Sequence, residues 1–509
     1  MTQPLNRRMI TLSIMAATIM QTLDGTIANV ALPHMQGTLS ASQDQIAWVL
    51  TAYIVAAAIA TPLTGWLVDR FGQKRVFLAS VIGFTIASAL CGISSSLTEI
   101  VAARLLQGVF GAALVPMSQM VLMDINPPEK QGSAMAIWGV GVMVGPILGP
   151  TLGGWLTDSY DWRWVFFINI PIGALATYGI WRYIRPTPGT GRMQFDLFGF
   201  VSLSLSVGAL QLLMDRGQQN DWFSSTETWI EATVLLIAFT YFVAHTALTR
   251  ADQSFLDYRL LKNGNYLGGL VFIFIVGLVL YATRALTPTM LENLMGYPVA
   301  TAGLVTAPSG IGTMFAMLIA GRVIGKVDLR ITLLVGFLVS AFALWQMTGY
   351  TLVLSESDIV WPGVIQGIGT GLVFVPLSAA TFATLSPAMR AQGTAIYSLV
   401  RNVGSSIGIS LVQTVLERNT VAVHASLVEK ITQGNPSWNN PAVASAYDLS
   451  RAGGAAALDA LVEQQSQMIA YVNDFRLMLY LTLAVIPLLL FLRPPGPRTE
   501  SLDAHAIME

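Results

Sequence analysis

Met20-Gln21-Thr22-Leu23-Asp24-Gly25-Thr26-Ile27-Ala28-Asn29-Val30-Ala31-Leu32-Pro33 is the stretch that decides the fold. It lies in a run from Met9 to Leu32 whose one ionisable side chain is Asp24. About 20 apolar residues rising 1.5 Å each cover the ~30 Å hydrocarbon core of a bilayer, so the run is long enough to span one. A carboxylate at that depth costs roughly 2.5–3.5 kcal/mol on insertion scales. A chain keeps such a group where it faces a cavity, pairs with a cation or takes up a proton. Two readings stand side by side: Asp24 is the proton-binding residue of a transporter, or a structural acid locked to an arginine of a neighbouring helix.

The rest of the chain has the same character. Of 509 residues, 54% are hydrophobic and 11% charged, and mean hydropathy is +0.61. Soluble domains carry about 25% charged residues, so this is an integral membrane protein. A net charge of −1 gives no polybasic surface for nucleic acid. The single cysteine, Cys91, excludes an internal disulfide and a cysteine-based metal cluster, and reads as a packing residue. His34, His245, His424 and His505 are scattered without metal-ligand spacing. No Gly-rich ATP loop ending in Lys-Ser/Thr and no nucleophile constellation is visible. The expectation is therefore a protein that is not an enzyme, holds no cofactor and draws on a proton gradient. Arg7 and Arg8 before an apolar run imitate a signal peptide. That run is too long for a signal core and carries Asp24, which makes it an uncleaved first span.

Fourteen stretches are long and apolar enough to cross: 9–32, 45–68, 75–95, 98–123, 132–156, 164–184, 197–214, 229–248, 266–289, 300–324, 331–353, 359–384, 391–416 and 475–492. Alternate segments, starting from Arg7 and Arg8 and ending at Arg493 and Arg498, hold 18 Lys and Arg. The short loops on the other side hold only Arg163 and Arg216. The excess places both termini in the cytoplasm. The long segment 417–474 then lies outside, where long loops escape the charge rule. Asn435 to Pro441 reads as turns and Ala455 to Ala470 as a possible amphipathic helix, with a solvated loop the preferred reading of the whole.

Short echoes link the two halves. Gln107-Gly108, Pro116 and Ser118 recur as Gln366-Gly367, Pro376 and Ser378; Gly132-Ser133-Ala134 recurs as Gly393-Thr394-Ala395; Gly65 with Arg70 recurs as Gly321 with Lys326. Their offsets, 256 to 261 residues, exceed six spans by about two helices. The expected organisation is an N-terminal six-helix bundle over 1–190, two inserted spans over 191–260, and a C-terminal six-helix bundle over 261–509. Parallel repeats put a substrate site near midplane between the bundles.

Three further motifs carry mechanism. Gly65-Trp66-Leu67-Val68-Asp69-Arg70-Phe71-Gly72-Gln73-Lys74-Arg75 joins spans two and three, and Gly65 and Gly72 permit close approach and a tight turn. Asp69 is placed to accept N–H groups from another helix's N-terminus, a latch worth roughly 0.3–2 kcal/mol. The second-half copy has Gly325 in its place, so the latch is one-sided. Arg104-Leu105-Leu106-Gln107-Gly108 lies in span four. Asp24, ~22 Å from one face, and Arg104, ~9 Å from the other, fall at one depth in a ~30 Å core. Arg104 is thus a candidate partner for Asp24, with Gln107 supporting the pair. A fixed guanidinium favours the ionised form of a nearby carboxylate, and burial opposes it. Finally Gly141, Gly145, Pro146, Gly149, Pro150, Gly153 and Gly154 line span five, reading either as a gating hinge or as plain small-residue packing.

Together these motifs resemble the major facilitator superfamily, and within it the fourteen-span drug/proton antiporters. Leu23 to Pro33 looks like the first-span signature of that group, and Trp162-Arg163-Trp164-Val165-Phe166-Phe167-Ile168-Asn169-Ile170-Pro171-Ile172-Gly173 like its sixth-span signature. Asp215-Arg216-Gly217, Asp221-Trp222-Phe223-Ser224-Ser225 and the outer segment 417–474 look like EmrB-type pumps. The resemblance implies export of hydrophobic, structurally varied toxic compounds across a bacterial inner membrane, driven by inward proton flow. It implies a periplasmic adaptor and an outer-membrane channel as partners. It assigns proton coupling to Asp24 with Arg104 and Gln107, and a conformational gate to Gly65, Asp69, Arg70, Gly72, Lys74 and Arg75. Arg401, midway along span thirteen, matches an arginine common in the group; with Gln21 and Asn29 it is a candidate for the substrate path. Arg284 in span nine is a weaker candidate, able to snorkel outward. Competing expectations are an exporter dedicated to one metabolite, such as a siderophore or lipid precursor, a non-transporting sensor, and uncoupled facilitated diffusion.

Overall fold

The computed structural model describes residues 6–191, 194–250, 253–324, 326–431, 447 and 452–491. Each apolar run closes its backbone hydrogen bonds on itself, as a segment in lipid must. In chain order the helices are α1 (Arg7–Thr38), α2 (Gln43–Ala60, continuing as Leu63–Phe71), α3 (Gln73–Ile93), α4 (Leu97–Gly111, continuing as Leu114–Ile125), α5 (Gln131–Ser159), α6 (Trp164–Tyr183) and α7 (Leu197–Arg216). They continue as α8 (Thr226–Leu248), α9 (Gly264–Leu294), α10 (Val299–Val323), α11 (Leu329–Met347), α12 (Glu356–Ala383), α13 (Pro387–Val428) and α14 (Ala452–Val485). Thirteen are long and apolar enough to cross a membrane unaided, and the two parts of α2, bent by 56°, make the fourteenth. Pro62 sits at that bend, where it supplies no N–H. Helix starts carry polar caps: Ser42 with Gln45 at α2, Asp196 at α7, Ser225 at α8, and Ser355 with Asp358 at α12.

Helices α1 to α6 pack on one another, as do α9 to α14. Both groups use the same device. In the first, Gly145 of α5 lies against the backbone of Thr22 in α1; in the second, Gly404 and Gly408 of α13 lie against the carbonyls of Phe274 and Leu278 in α9. A β-carbon at any of these positions would overlap the facing backbone, so the helices touch along their main chains. Helix α7 packs on α2, α13 and α8, whereas α8 rests on α7 and the short turn before it. The outer surface of α8 exposes Trp229, Ile230, Leu236, Ile237 and Phe239, a face for lipid.

Two seams join the halves. Along the first, α5 meets α10 over its whole length. At the end bearing Arg70, Lys74 and Arg75, here called the basic face, Ser133 Oγ donates to Gly321 O at 3.2 Å. Further along, Trp138 stacks on Phe374 of α12 at 5.9 Å, and near the opposite face Gly303 closes on Pro150. The second seam is packed, among the described residues, at the basic face. There α13 packs on Leu63–Phe71 of α2 and Leu114–Ile125 of α4, with no comparable packing on their other halves. A Cβ on Gly65 would stand 3.0 Å from Gln392 Cα. Arg390 NH1 donates to Asp124 Oδ1 at 2.8 Å, and Gln73 Nε2 to Asp124 Oδ2 at 3.3 Å. The cleft between the halves is therefore closed at the basic face and open at the other.

The solvated loop expected over 417–474 needs correction. α13 runs on through Val428, and α14 begins at Ala452, so the segment is largely two helical extensions. A helix of 42 residues is about 60 Å long, twice the hydrocarbon core. His424 on one extension stands 3.3 Å from Asp459 and 4.0 Å from Glu463 on the other. Ala452, Ala455, Ala456 and Ala457 are strong helix formers, and extending a helix already nucleated in the membrane avoids the costly first turn. The turns expected at 435–441 lie outside the described residues.

Because Gly65 allows the closest approach across the second seam, Gly65→Leu should wedge the basic face apart. With Cys91→Ser as background, spin labels on Arg75→Cys and Lys262→Cys should separate by several ångströms when Gly65→Leu is added. An unchanged distance would mean that the contact with Gln392 does not hold the halves together.

Candidate functional site: a sealed ion pair beside the cleft

Asp24 and Arg104 meet inside the N-terminal half. Arg104 NH1 donates to Asp24 Oδ2 at 2.7 Å, and the two side chains are 1% and 0% exposed. The other carboxylate oxygen, Oδ1, accepts from Gln107 Nε2 at 2.8 Å and Asn169 Nδ2 at 2.9 Å. Gln107 also accepts from Arg104 NH1 at 2.8 Å, which fixes its amide orientation. Asn169 Nδ2 donates in addition to Ser88 Oγ at 3.0 Å, and Ser88 donates to Phe166 O at 2.9 Å. The guanidinium lies between two rings, 5.2 Å from the centroid of Tyr53 and 4.9 Å from that of Phe166, at cation–π distance. Four helices thus contribute to one polar cage: α1 the acid, α4 the arginine and glutamine, α6 the asparagine, α3 the serine.

The cage reaches the cleft by one short route. Gln21, one turn before Asp24, donates from Nε2 to Tyr53 OH at 3.2 Å, and the Tyr53 ring covers Arg104. On the same face of α1, Gly25 and Asn29 are exposed. Small and polar residues exposed in the middle of an apolar span mark a wet surface rather than a lipid one. Asp24 points away from that surface, into the bundle.

The glycines of α5 bear directly on this arrangement. Gly141, Gly145, Gly149 and Gly153 face α1, where added β-carbons would collide with Met15, Thr22, Thr26 and Ile27; Gly154 instead faces Ala300 of α10 at 3.5 Å. Thr26 Oγ1 donates to Gly145 O at 3.0 Å. Pro146 and Pro150 both lie within a helix that continues unbroken through them.

The loop motif is brought together differently from expectation. Asp69 accepts from the Thr190 hydroxyl, and its main-chain carbonyl accepts from Gly191 N at 3.0 Å, so the chain leaving α6 clasps it. Gly72 has φ +84° and lies against Thr187 O, a position open only to glycine. Lys74 Nζ donates to Trp181 O at 2.6 Å, and Arg75 is exposed. Arg70 packs by its main chain against Gly189. Gly325 lies outside the described residues. Arg401 is 8% exposed and donates to Asn402 Oδ1 at 3.3 Å.

Several participants escaped the sequence reading. Asn169 stood in a quoted motif as a lone amide in an apolar run, a signal that could have been used. Ser88 gave none. Asp124 and Arg390 lie at span ends, where a charge carries no signal beyond topology. Arg284 does not snorkel outward: it turns across the bundle to Thr313 Oγ1 at 2.8 Å and Met143 Sδ at 3.3 Å.

Comparison with known proteins bears on the whole chain. The "Fatty acid resistance protein FarB" of Neisseria gonorrhoeae is 34% identical over 488 residues, 96% of each chain. The "Multidrug export protein EmrB" of Escherichia coli (strain K12) is 36% identical over 428 residues, 84% of this chain and 83% of that one. Among solved structures, the proton:xylose symporter XylE superposes with a TM-score of 0.58 at 13% identity, covering 94% of this chain and 96% of its own; the human organic anion transporter MFSD10 superposes with 0.57 at 15%, covering 94% and 100%. These two likenesses are of fold alone. The family model of the Major Facilitator Superfamily matches residues 14–409, and with fourteen apolar helices in two packed halves the chain is a multi-pass membrane protein that belongs to that superfamily.

Proposed function

We propose that this protein is a drug:proton antiporter, which expels hydrophobic toxic compounds across the bacterial inner membrane while protons move inward. The basic face is cytoplasmic and carries both termini, so the open cleft looks outward. What carries the reading is the cage around Asp24. An acid that accepts three hydrogen bonds, one from a buried arginine, and lies one side chain from a wet cleft can hold charge or a proton with different consequences for its neighbours.

Protons enter along Gln21 and Tyr53. Protonation of Asp24 removes the charge that holds Arg104 and turns one carboxylate oxygen from acceptor to donor. Leu23, next to the acid, and Thr22 lie against Gly145 of α5, so displacement on α1 is felt there at once. The glycine face from Gly141 to Gly154, with Pro146, is the hinge along which α5 shifts against α1 and α10. The bundles 1–190 and 261–509 rock about it, with 191–260 lodged at the second seam. The basic-face gate of Gly65, Asp69, Arg70, Gly72, Lys74 and Arg75, joined by Asp124 and Arg390, then opens to admit substrate. Gln21, Asn29 and Arg401 belong to the substrate path. No cofactor enters the cycle; the proton gradient supplies the energy. The paired extensions of α13 and α14 stand on the periplasmic side, where an adaptor leading to an outer-membrane channel docks.

Asp24→Asn should abolish proton release on drug addition to the purified protein and abolish efflux in cells. It should also cost stability, because it strands a buried guanidinium, by about 3–5 kcal/mol. Asp24→Asn with Arg104→Gln should recover much of the lost melting temperature, since the stranded charge is gone. If the double variant recovers proton-driven transport as well, the pair is only structural.

Asp69→Asn should lower the turnover of transport severalfold while leaving drug affinity within about twofold, as loss of an interaction formed in one conformation requires. Equal losses in both would move Asp69 from the gate to the binding site.

A further inference from the structure

The C-terminal half buries an acid that the cycle above does not use. Asp474 of α14 is fully buried, and neither of its carboxylate oxygens has a hydrogen-bond partner among the described residues. Seventeen residues separate it from Phe491, roughly 25 Å of rise, where Asp24 stands ~22 Å from the same face. The two acids thus lie at similar depth in opposite halves. Asp24 has Arg104 as its partner, and Asp474 has nothing equivalent. The echo of Gln107-Gly108 in Gln366-Gly367 explains the difference: it puts Gly363 at the place of Arg104.

Helix α14 packs on α13, on α11 and on the outer part of α9. The cations of those helices are engaged elsewhere or stand in the open. Arg284 turns to Thr313 and Met143, Arg401 to Asn402, Arg390 to Asp124, and His424 to Asp459 and Glu463. Arg418 is exposed, and Arg330 lies at the basic end of α11. Arg476, on α14 itself, is exposed and donates to Asn473 Oδ1 at 3.5 Å. Glu292 and Glu417, with Tyr281, Tyr350, Tyr397 and Tyr471, bring no positive charge. A carboxylate in that setting would be an uncompensated charge in a low-dielectric bundle, and a side chain so placed is kept as the neutral acid. Donors for a carboxylate are nevertheless at hand. The ring of Tyr350 meets that of Phe475 edge to face at 5.6 Å, and its hydroxyl has no partner. Ser410, fourteen residues inward from His424 on α13, is level with Asp474, fifteen inward from Asp459 on α14, and its buried hydroxyl donates to nothing described.

We propose that Asp474 is a second proton-binding acid of the transport cycle, occupied in this outward-open conformation and emptied when the basic face opens. This rests on the export reading above and adds one proton to it. On release the O–H bond of the acid breaks, its electron pair stays on the carboxylate, and the proton passes to water on the cytoplasmic side. The idle hydroxyls of Tyr350 and Ser410 then gain an acceptor. Helix α9 loosens into a π turn at Met290–Leu294, where it meets α14, a departure from α-helix that recurs at functional sites. That turn is the element whose rearrangement lets water reach the acid. An intramembrane acid kept without a cation otherwise brings only cost.

The test uses the full-length protein and the variant Asp474→Asn, whose amide has the shape of the neutral acid. In lipid nanodiscs at neutral pH, the infrared carbonyl band of a protonated carboxyl should be present in the parent protein and missing from Asp474→Asn. The melting temperature should fall far less than in Asp24→Asn. No difference in the band, or a collapse of stability in Asp474→Asn, means that the group is ionised in this conformation and overturns the proposal. Proteoliposomes then decide between a carried proton and a fixed one. With the membrane potential clamped at zero, each coupled proton multiplies the steady-state ethidium gradient about tenfold per unit of pH difference. Asp474→Asn should therefore still pump, to a gradient about tenfold smaller across one pH unit, and Asp474→Glu should restore it. Equal gradients in the parent and Asp474→Asn make Asp474 a structural acid, and this proposal alone falls. If the parent protein builds no ethidium gradient at all, the export reading fails, and the second proton with it.

Discussion

Everything in this molecule is conditioned by the placement of charge where water is absent. Ionising a carboxylate and a guanidinium inside a low-dielectric bundle is costly, and their mutual attraction repays that cost only with good geometry and every remaining valence satisfied. Asp24 and Arg104 meet much of the requirement, with a direct bond, two amide donors on the second oxygen and two aromatic faces on the guanidinium, whose Nε is left without a hydrogen-bond partner. A pair of apolar residues of the same volume would serve stability at least as well. A chain that instead commits α1, α3, α4 and α6 to one polar cage gains something other than stability from it. The capacity to change charge state is what an apolar pair lacks.

A change at Asp24 has mechanical meaning only if some element with two positions responds to it. Helix α5 is suited to that part because, alone among the described helices, it packs against α1 on one side and against α10 of the other half on the other. Glycine brings both partners close: the Thr22 backbone lies on Gly145, while the side chains of Met15, Thr26 and Ile27 on α1 and of Met317 on α10 seat in the notches left by Gly141, Gly149, Gly153 and Gly139. The second seam supplies the asymmetry. It is fastened at the basic face by Gly65 on Gln392 and by Asp124 with Arg390, and it lacks packing of that kind at the opposite face. The two seams are therefore built differently: one runs the length of α5 and α10, and the other is fastened at one face.

The features legible in the sequence are those fixed by local physics. Span number follows from hydropathy and the rise per residue, and the meeting of Asp24 with Arg104 was foreseeable from depth alone because a helix converts sequence position into height. Lateral direction is not so encoded. That Arg284 turns toward Thr313 instead of the interface depends on what α5 and α10 place beside it. That Asp69 is clasped by Thr190 and Gly191 depends on where the chain after α6 happens to pass. The outer segment misled for another reason: polar composition argues for solvent, and solvent exposure does not distinguish a loop from a helix that continues out of the membrane. Ala455 to Ala457 held the relevant signal, which is propensity rather than polarity.

The duplicated halves have diverged in electrostatics more than in architecture. Both bring a glycine-bearing helix against the first helix of the half, yet the N-terminal bundle pairs its buried arginine with an acid, whereas in the C-terminal bundle Arg284, Arg401 and the fully buried Asp474 form no ion pair among the described residues. Such divergence sets differently charged sites in the two halves and raises the question of how either half senses the other. The same stretch of α5 answers it. Gly145 rests on the backbone beside Asp24, and Met143, two residues earlier, touches the Arg284 guanidinium across the seam. A shift of α1 moves the surface on which Arg284 leans, and a shift of Arg284 in turn releases that surface. Two residues apart on a helix point to different faces, so one rigid element couples the two sites, with no need for them to touch.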